Sequence, residues 1–209
     1  YIIKHIYADG TFKKLEYDAV GNVTKQTLSD GTQISYTYDK NNHLIKETTE
    51  SGRSVSYNYN SEGKITKEIY SDGREYSYAY NKNNQLISKS DKEGNTTKYE
   101  YDGMGRVTKV IDALENTTQN KYDKYGNVVK RIDANGNEYK YSYDANGNCT
   151  KVVDPLGNET TYEYDKLNRN TSVSIKKGDK TLTASYVYDK LGRVSKIIDE
   201  LGNETTMTY

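Results

Sequence analysis

Few residues in this chain are of kinds that do chemistry, and their spacing assigns most of them to other work. The two histidines, His5 and His43, lie 38 residues apart, and no Cys/His cluster has the spacing of a zinc site. No glycine-rich loop opens a helix that could cradle a phosphate, and no serine stands in a nucleophile elbow. Carboxylates are numerous but recur just ahead of Gly or Asn, where they read as turn caps. Asp133-Ala134-Asn135-Gly136-Asn137 and Asp144-Ala145-Asn146-Gly147-Asn148 open in the manner of a calcium loop. Their twelfth positions hold Asp144 and Pro155, so the closing glutamate is missing. The single cysteine, Cys149, excludes an internal disulfide and stands in a column that is mostly Val, Leu or Ile, which reads as a small apolar residue. The expectation is a chain with no catalytic site, no metal and no cofactor.

What does recur is Tyr-Asp followed by a Gly or Asn turn. The tyrosine stands at Tyr17, Tyr38, Tyr59, Tyr80, Tyr101, Tyr122, Tyr143 and Tyr164, each 21 residues after the last, then at Tyr188 after 24 residues. Tyr209 restores the 21-residue step. A fixed period of this length marks a repeat protein. The whole of 1–209 is therefore expected to be one array of about nine repeats, with partial units at both ends. An earlier column holds Tyr36, Tyr57, Tyr78, Tyr99, Tyr141, Tyr162 and Tyr186, with Leu15 and Asn120 as exceptions. Residues two apart on a strand share a face, so 16 of the 23 tyrosines form two ladders on one side. The residues between them, such as Glu16, Thr37, Asn58, Glu100 and Glu163, are mostly polar and are expected to meet water.

The turn after each Tyr-Asp holds only Gly or Asn: Gly21, Asn42, Gly63, Asn84, Gly105, Gly126, Gly147, Asn168 and Gly192. These are the residues with the easiest access to the left-handed region. Asn60 and Asn81 replace the Asp in two copies. An amide can close an Asx turn but cannot act as a general acid, so the Asp is read as a turn residue. A second strand follows, with a first inward column of Val23, Leu44, Ile65, Leu86, Val107, Val128, Cys149, Asn170 and Val194. Two residues on comes a lysine in seven copies: Lys25, Lys46, Lys67, Lys109, Lys130, Lys151 and Lys196. Thr27, Thr48, Ile69, Ser90, Ile111, Ile132, Val153, Ser174 and Ile198 lie two further on. Strict alternation would set the lysines among the tyrosines, with their stems on the rings. A bulge would aim them outward instead. Both accounts stand at this level.

A second turn carries Asp9-Gly10, Asp30-Gly31, Ser51-Gly52, Asp72-Gly73, Glu93-Gly94, Gly136-Asn137 and Gly157-Asn158, and only Glu115-Asn116 breaks the glycine column. Turns every 10 or 11 residues leave about 19 strands of about six residues. The predicted fold is all-β, an antiparallel array of hairpins, and a ribbon this long is expected to coil into a spiral. Residues 174–181 add three to one hairpin and should lengthen it at its tip.

Lys+Arg and Asp+Glu stand at 30 each, which leaves no electrostatic footprint for nucleic acid or an anionic membrane. No apolar run is long enough to span a bilayer and no signal peptide is visible. The chain begins and ends inside a repeat, so it reads as a piece of a longer protein whose secretion signal lies elsewhere. Its first partners are its own neighbouring repeats, and its uncapped sheet edges could pair with another molecule.

The motif Gly-x-x-x-x-Tyr-x-Tyr-Asp-x-x-Gly-Arg-Val, clearest from Gly94 to Val107, resembles the YD repeat of the Rhs family, which includes wall-associated proteins, toxin-complex C-components and teneurins. The resemblance implies a spiralling sheet of hairpins that builds a hollow shell, which in toxin members encloses an effector. Nine repeats are too few for a closed shell, and no match exists to the family's C-terminal core with its autoproteolytic aspartates. Enclosure and self-cleavage are therefore not carried to these residues. The leading expectation is a structural segment of a large secreted or surface-displayed bacterial protein. The alternative is a carbohydrate- or wall-binding module in which the tyrosine ladders stack on sugars, although such repeats usually carry tryptophan and this chain has none.

Overall fold

The computed structural model describes all residues from 1 to 209. It contains twenty strands and no helix, so no helix is long and apolar enough to cross a membrane. The chain divides into two compact units. The first spans Tyr1–Glu100 with Asp112–Leu114, and the second Tyr101–Ile111 with Glu115–Tyr209.

The first unit holds β1 (Ile2–Ile6), β2 (Phe12–Tyr17), β3 (Val23–Leu28), β4 (Gln33–Tyr38), β5 (Leu44–Thr49), β6 (Ser54–Tyr59), β7 (Ile65–Tyr70), β8 (Glu75–Tyr80), β9 (Leu86–Asp91) and β10 (Thr96–Tyr101). The second holds β11 (Val107–Ile111), β12 (Thr117–Tyr122), β13 (Val128–Ile132), β14 (Glu138–Tyr143), β15 (Cys149–Val153), β16 (Glu159–Tyr164), β17 (Asn170–Lys177), β18 (Lys180–Tyr188), β19 (Val194–Ile198) and β20 (Glu204–Thr206). Within each unit every strand pairs antiparallel with its neighbours in sequence, as short polar turns between alternating segments require. The inserted residues extend β17 and β18 into a longer hairpin, in which Lys177 faces Lys180 across a turn with φ 58° at Gly178.

Both kinds of turn use one device. The N–H of Gly21 donates to the carbonyl of Asp18, and the Asp18 N–H donates to that of Asn22. At the other end, Gly10 and Tyr7 repeat the pattern with Tyr7 and Thr11. Only the Gly position has positive φ, so these are type I turns closed by a left-handed residue and a bulge, not the mirror-image two-residue turn. All nine positions of the Tyr-Asp turn lie at positive φ, Asn42, Asn84 and Asn168 included. Glu115, with φ 61°, is the one residue of another type held there. Left-handed backbone costs an L-residue about 1–2 kcal/mol, and part of that gain is lost to the flexible unfolded chain. Glu115→Gly is expected to raise stability by about 0.5–1 kcal/mol in urea denaturation.

The register settles the lysine column. In each Tyr-Asp hairpin of the two units the pairing slips by one just before the second tyrosine. Glu16 faces Lys25 while Tyr17 faces Val23, and Thr24 is the extra residue. The same slip places Thr37 opposite Lys46, Asn58 opposite Lys67, Lys121 opposite Lys130, Ser142 opposite Lys151 and Val187 opposite Lys196. The bulge therefore turns these lysines away from the tyrosines, and the reading that packs their stems on the rings is wrong. On that outer face Lys67 reaches Glu75 at 2.7 Å and Lys151 reaches Glu159 at 2.6 Å, and Lys130 pairs with Glu138 in the same way. The column two residues further on also leaves the tyrosine side, since Thr27 faces Lys14 and Thr48 faces Ser35.

In its place the bulge brings in Gln26, Glu47, Glu68, Lys89, Arg131, Val152, Val173 and Ile197, which face Leu15, Tyr36, Tyr57, Tyr78, Asn120, Tyr141, Tyr162 and Tyr186. Alternation along the sequence gives no sign of this column. Burial is shallow: Leu15 is the one residue buried to a core-like degree, at 9% exposure, and the ladder tyrosines are half-buried.

Candidate functional surface

The Tyr-Asp end of each repeat is where repeats are joined. The Asp binds its own turn first. Asp144 Oδ1 accepts the N–H groups of Asn146 and Asn148 at 2.9 Å each, and its Oδ2 accepts the Asn148 amide at 2.9 Å. Asp18, Asp39, Asp102, Asp123, Asp165 and Asp189 make the same pair of backbone bonds. Asn60 and Asn81 make them too, through a neutral amide oxygen.

These bonds hold all seven carboxyls below the ordinary Asp range. In Asp144 and Asp165 the leading cause is the side-chain bond from the residue four on. In Asp39, Asp102 and Asp189 it is the backbone N–H of that residue. Desolvation is the largest single influence on Asp18 and Asp123 and acts upward, but their combined hydrogen bonds outweigh it. A carboxyl depressed on folding contributes stability that is present above its unfolded value, about 3.9, and lost as pH falls through the folded one. Melting temperature is therefore expected to be flat from neutral pH to about 5 and to fall once pH drops below about 4, measured by circular dichroism.

The tyrosine then reaches the preceding repeat. Tyr38 Oη donates to the carbonyl of Val23 at 2.9 Å, Tyr59 to Leu44 at 2.6 Å and Tyr80 to Ile65 at 2.9 Å. Tyr122 reaches Val107, Tyr143 reaches Val128, Tyr164 reaches Cys149, Tyr188 reaches Asn170 and Tyr209 reaches Val194, at 2.6–3.0 Å. The acceptor has a reason to be there. Between β3 and β4 the backbone ladder ends at Lys25 and Ser35, so the Val23 carbonyl has no backbone partner in β4. A phenol supplies the missing donor. Burial, as the leading cause, raises the pKa of Tyr38, Tyr59, Tyr80, Tyr143 and Tyr164, so these hydroxyls remain donors at neutral pH.

The residue four beyond the Asp completes the clamp. Arg169 Nε donates to Asp165 Oδ2 at 2.7 Å, and its guanidinium lies 4.5 Å from the centre of the Tyr188 ring in the next repeat. Arg106 bonds Asp102 and covers Tyr122 at 4.6 Å, and Arg193 bonds Asp189 and covers Tyr209 at 4.3 Å. His43 holds this place in an earlier copy, with Nδ1 3.2 Å from Asp39 and its ring stacked on Tyr59 at 4.8 Å. One side chain thus bonds its own turn and packs on the next tyrosine. Sequence reasoning missed this second role, although an Arg 16 residues before a ladder tyrosine in two copies is a usable signal.

The rest of the tyrosine face carries charge only in places. Glu47 accepts the Tyr57 hydroxyl at 3.0 Å and Glu68 accepts that of Tyr70 at 3.1 Å. Burial first, then these carboxylates, drive the Tyr57 and Tyr78 phenols far above their usual range. Lys89 lies over Tyr76 and Tyr78. The other chemical candidates are scattered. His5 is exposed on β1. The half-buried Cys149 thiol donates to the Lys151 carbonyl at 3.6 Å, and burial pushes its pKa up. Asp133 spends both oxygens on Asn135 and Asn137, and no group of three His, Cys, Asp or Glu is placed to hold a metal.

A family described as Teneurin YD-shell matches residues 45–209, and one described as RHS Repeat matches residues 17–49. The chain belongs to the YD-shell family of RHS-repeat proteins. No curated protein sequence matches it. Among solved structures it is similar to a Photorhabdus luminescens Tc holotoxin pore with a mutated TccC3 component, at 15% identity and TM-score 0.63, covering 92% of this chain and 13% of that one. It is similar to a TcdB2-TccC3-TEV structure at 16% identity and TM-score 0.62, covering 92% of this chain and 14% of that one. A TcdB2-TccC3 structure gives 15% identity and TM-score 0.60 over 92% and 14%. At such identities the likeness is one of fold alone. The chain spans about one seventh of the length of these proteins.

Proposed function

We propose that this chain is one continuous array of about nine YD repeats forming a stretch of wall in the shell of a large secreted or surface-displayed bacterial Rhs-like protein, a polymorphic toxin or wall-associated protein. It acts as scaffold and carries out no reaction. Its partners are the repeats on either side; an effector, in a toxin, is enclosed by the whole shell and not held by these residues, and no nucleic acid or membrane is among the partners. The observation that carries this reading is the clamp. The recurring Tyr is spent on the neighbouring repeat, the Asp and the turn residue on closing their own turn, and the Arg, where it is present, on both, which leaves the motif no free group for catalysis. The family match supports the same reading.

The carbohydrate-binding alternative draws support from the half-buried tyrosine face. Against it, the clamp tyrosines have committed their hydroxyls, and Tyr122, Tyr188 and Tyr209 have a ring face under an Arg. Pull-down on peptidoglycan sacculi and a glycan array decides between the two. The purified chain is expected to stay unbound and to show no hydrolase or transferase activity. Saturable retention, lost on replacing half-buried ladder tyrosines that no Arg covers by alanine, would overturn the scaffold reading in favour of wall binding.

A further inference from the structure

On the tyrosine face of the first unit a cavity of about 300 Å³ opens among Ile34, Glu47, Arg53, Val55, Tyr70 and Arg74. Its size is at the small end for ligand sites. Its floor is aliphatic and aromatic, and its rim holds two acids, Glu47 and Asp72, and two bases, Arg53 and Arg74, in different states. Arg74 is committed: it bonds Asp72 through Nε at 2.9 Å and lies 4.5 Å over the Tyr70 ring. Arg53 occupies the same place one repeat earlier, but Ser51 stands where Asp72 stands, and the Ser51 hydroxyl is engaged with Thr49 at 2.9 Å. The Arg53 guanidinium is thus left with no carboxylate. Glu47 accepts one bond from Tyr57 and faces no cation. In the next repeat the matching Glu68 likewise accepts one tyrosine hydroxyl, but there Asp72 neutralises Arg74. The combination of a free carboxylate oxygen, a free guanidinium fork and an apolar floor in one cavity arises here through the exchange of Asp for Ser at position 51.

We propose that this cavity binds a small zwitterion, an α-amino acid or dipeptide with an apolar side chain. Its ammonium meets Glu47, its carboxylate meets the fork of Arg53, and its side chain rests on Ile34, Val55 and the Tyr70 ring. Neither charge alone suffices, because each rim group is solvated until its counterpart on the same ligand is bound.

Amide spectra of the full 209-residue chain, titrated with leucine, N-acetyl-leucine and leucinamide, test it. Leucine is expected to shift the Val55 and Ser71 amides saturably in the millimolar range, with each capped analogue about tenfold weaker. Ser51→Asp, which gives Arg53 the carboxylate that Arg74 already has, is expected to weaken leucine about tenfold while the spectrum stays dispersed. Glu47→Gln keeps an acceptor for Tyr57 and is expected to abolish the preference for leucine over its N-acetyl form. Equal binding of the three ligands, binding unaffected by Ser51→Asp, or no saturable shift up to about 100 mM overturns the proposal.

Discussion

Replacing Tyr143 by alanine is expected to lower the unfolding free energy of the chain by about 2–3 kcal/mol, somewhat less than a fully buried aromatic would cost. Three losses combine. The half-buried ring leaves the face it shares with Tyr141 and Cys149. The Val128 carbonyl loses the phenol donor at 3.0 Å. The contact between one repeat and the next is loosened at its closest point, and in a repeat array stability depends on such neighbour terms. Tyr143→Phe separates them. It keeps the ring and removes only the hydroxyl, so about 1 kcal/mol is expected. Urea denaturation measures both. Hydrogen exchange adds a local readout, since amides of β13 to β15 should lose protection first in the alanine variant. A Tyr143→Ala effect no larger than that of Tyr143→Phe would show that the ring does not pack as described.

Asp165→Ala carries the second large effect, a clear drop in the urea midpoint of unfolding. The carboxylate accepts from Leu167 N–H at 2.8 Å, Arg169 N–H at 3.1 Å and Arg169 Nε at 2.7 Å. Its removal frees two turn amides and releases Arg169 from over Tyr188. Asp165→Asn is expected to be much milder, because Asn60 and Asn81 already close their turns through an amide oxygen. The charge-dependent part shows in pH titration: the alanine and asparagine variants should lose less stability than the parent when pH falls below about 4. If Asp165→Asn proved as damaging as the alanine change, the turn-cap role would be wrong and the charge itself would be the essential element.

These two variants also mark how far the sequence could be read. The turns were legible because left-handed backbone admits few residue types, and Gly147 and Asn168 announce such backbone without reference to anything distant. The tyrosine ladders were legible for the same kind of reason: Tyr141 and Tyr143 are two apart on one strand, and the period of a strand is local. The direction of Lys25 and Lys46 was not. It turns on Thr24 and Ile45 being extra residues in a pairing with another strand, and a slip of one residue exchanges the faces of everything that follows. Glu47 and Glu68 reached the tyrosine face by that slip. The double role of Arg169 was hidden as well, since its second contact lies in the following repeat, past the three-residue insertion.

The sequence by itself determined an all-β chain, the place of each turn, and which residues form the motif. Each of these depends on conformational preferences within a few residues of backbone. The tertiary structure alone decided what the motif is for. A phenol has use for a carbonyl 15 residues back only because the strand ladder stops short there, and an arginine has a ring to cover only when the next hairpin is laid beside it. Those are relations between strands, and the bulge that sets them exists only once the strands are paired.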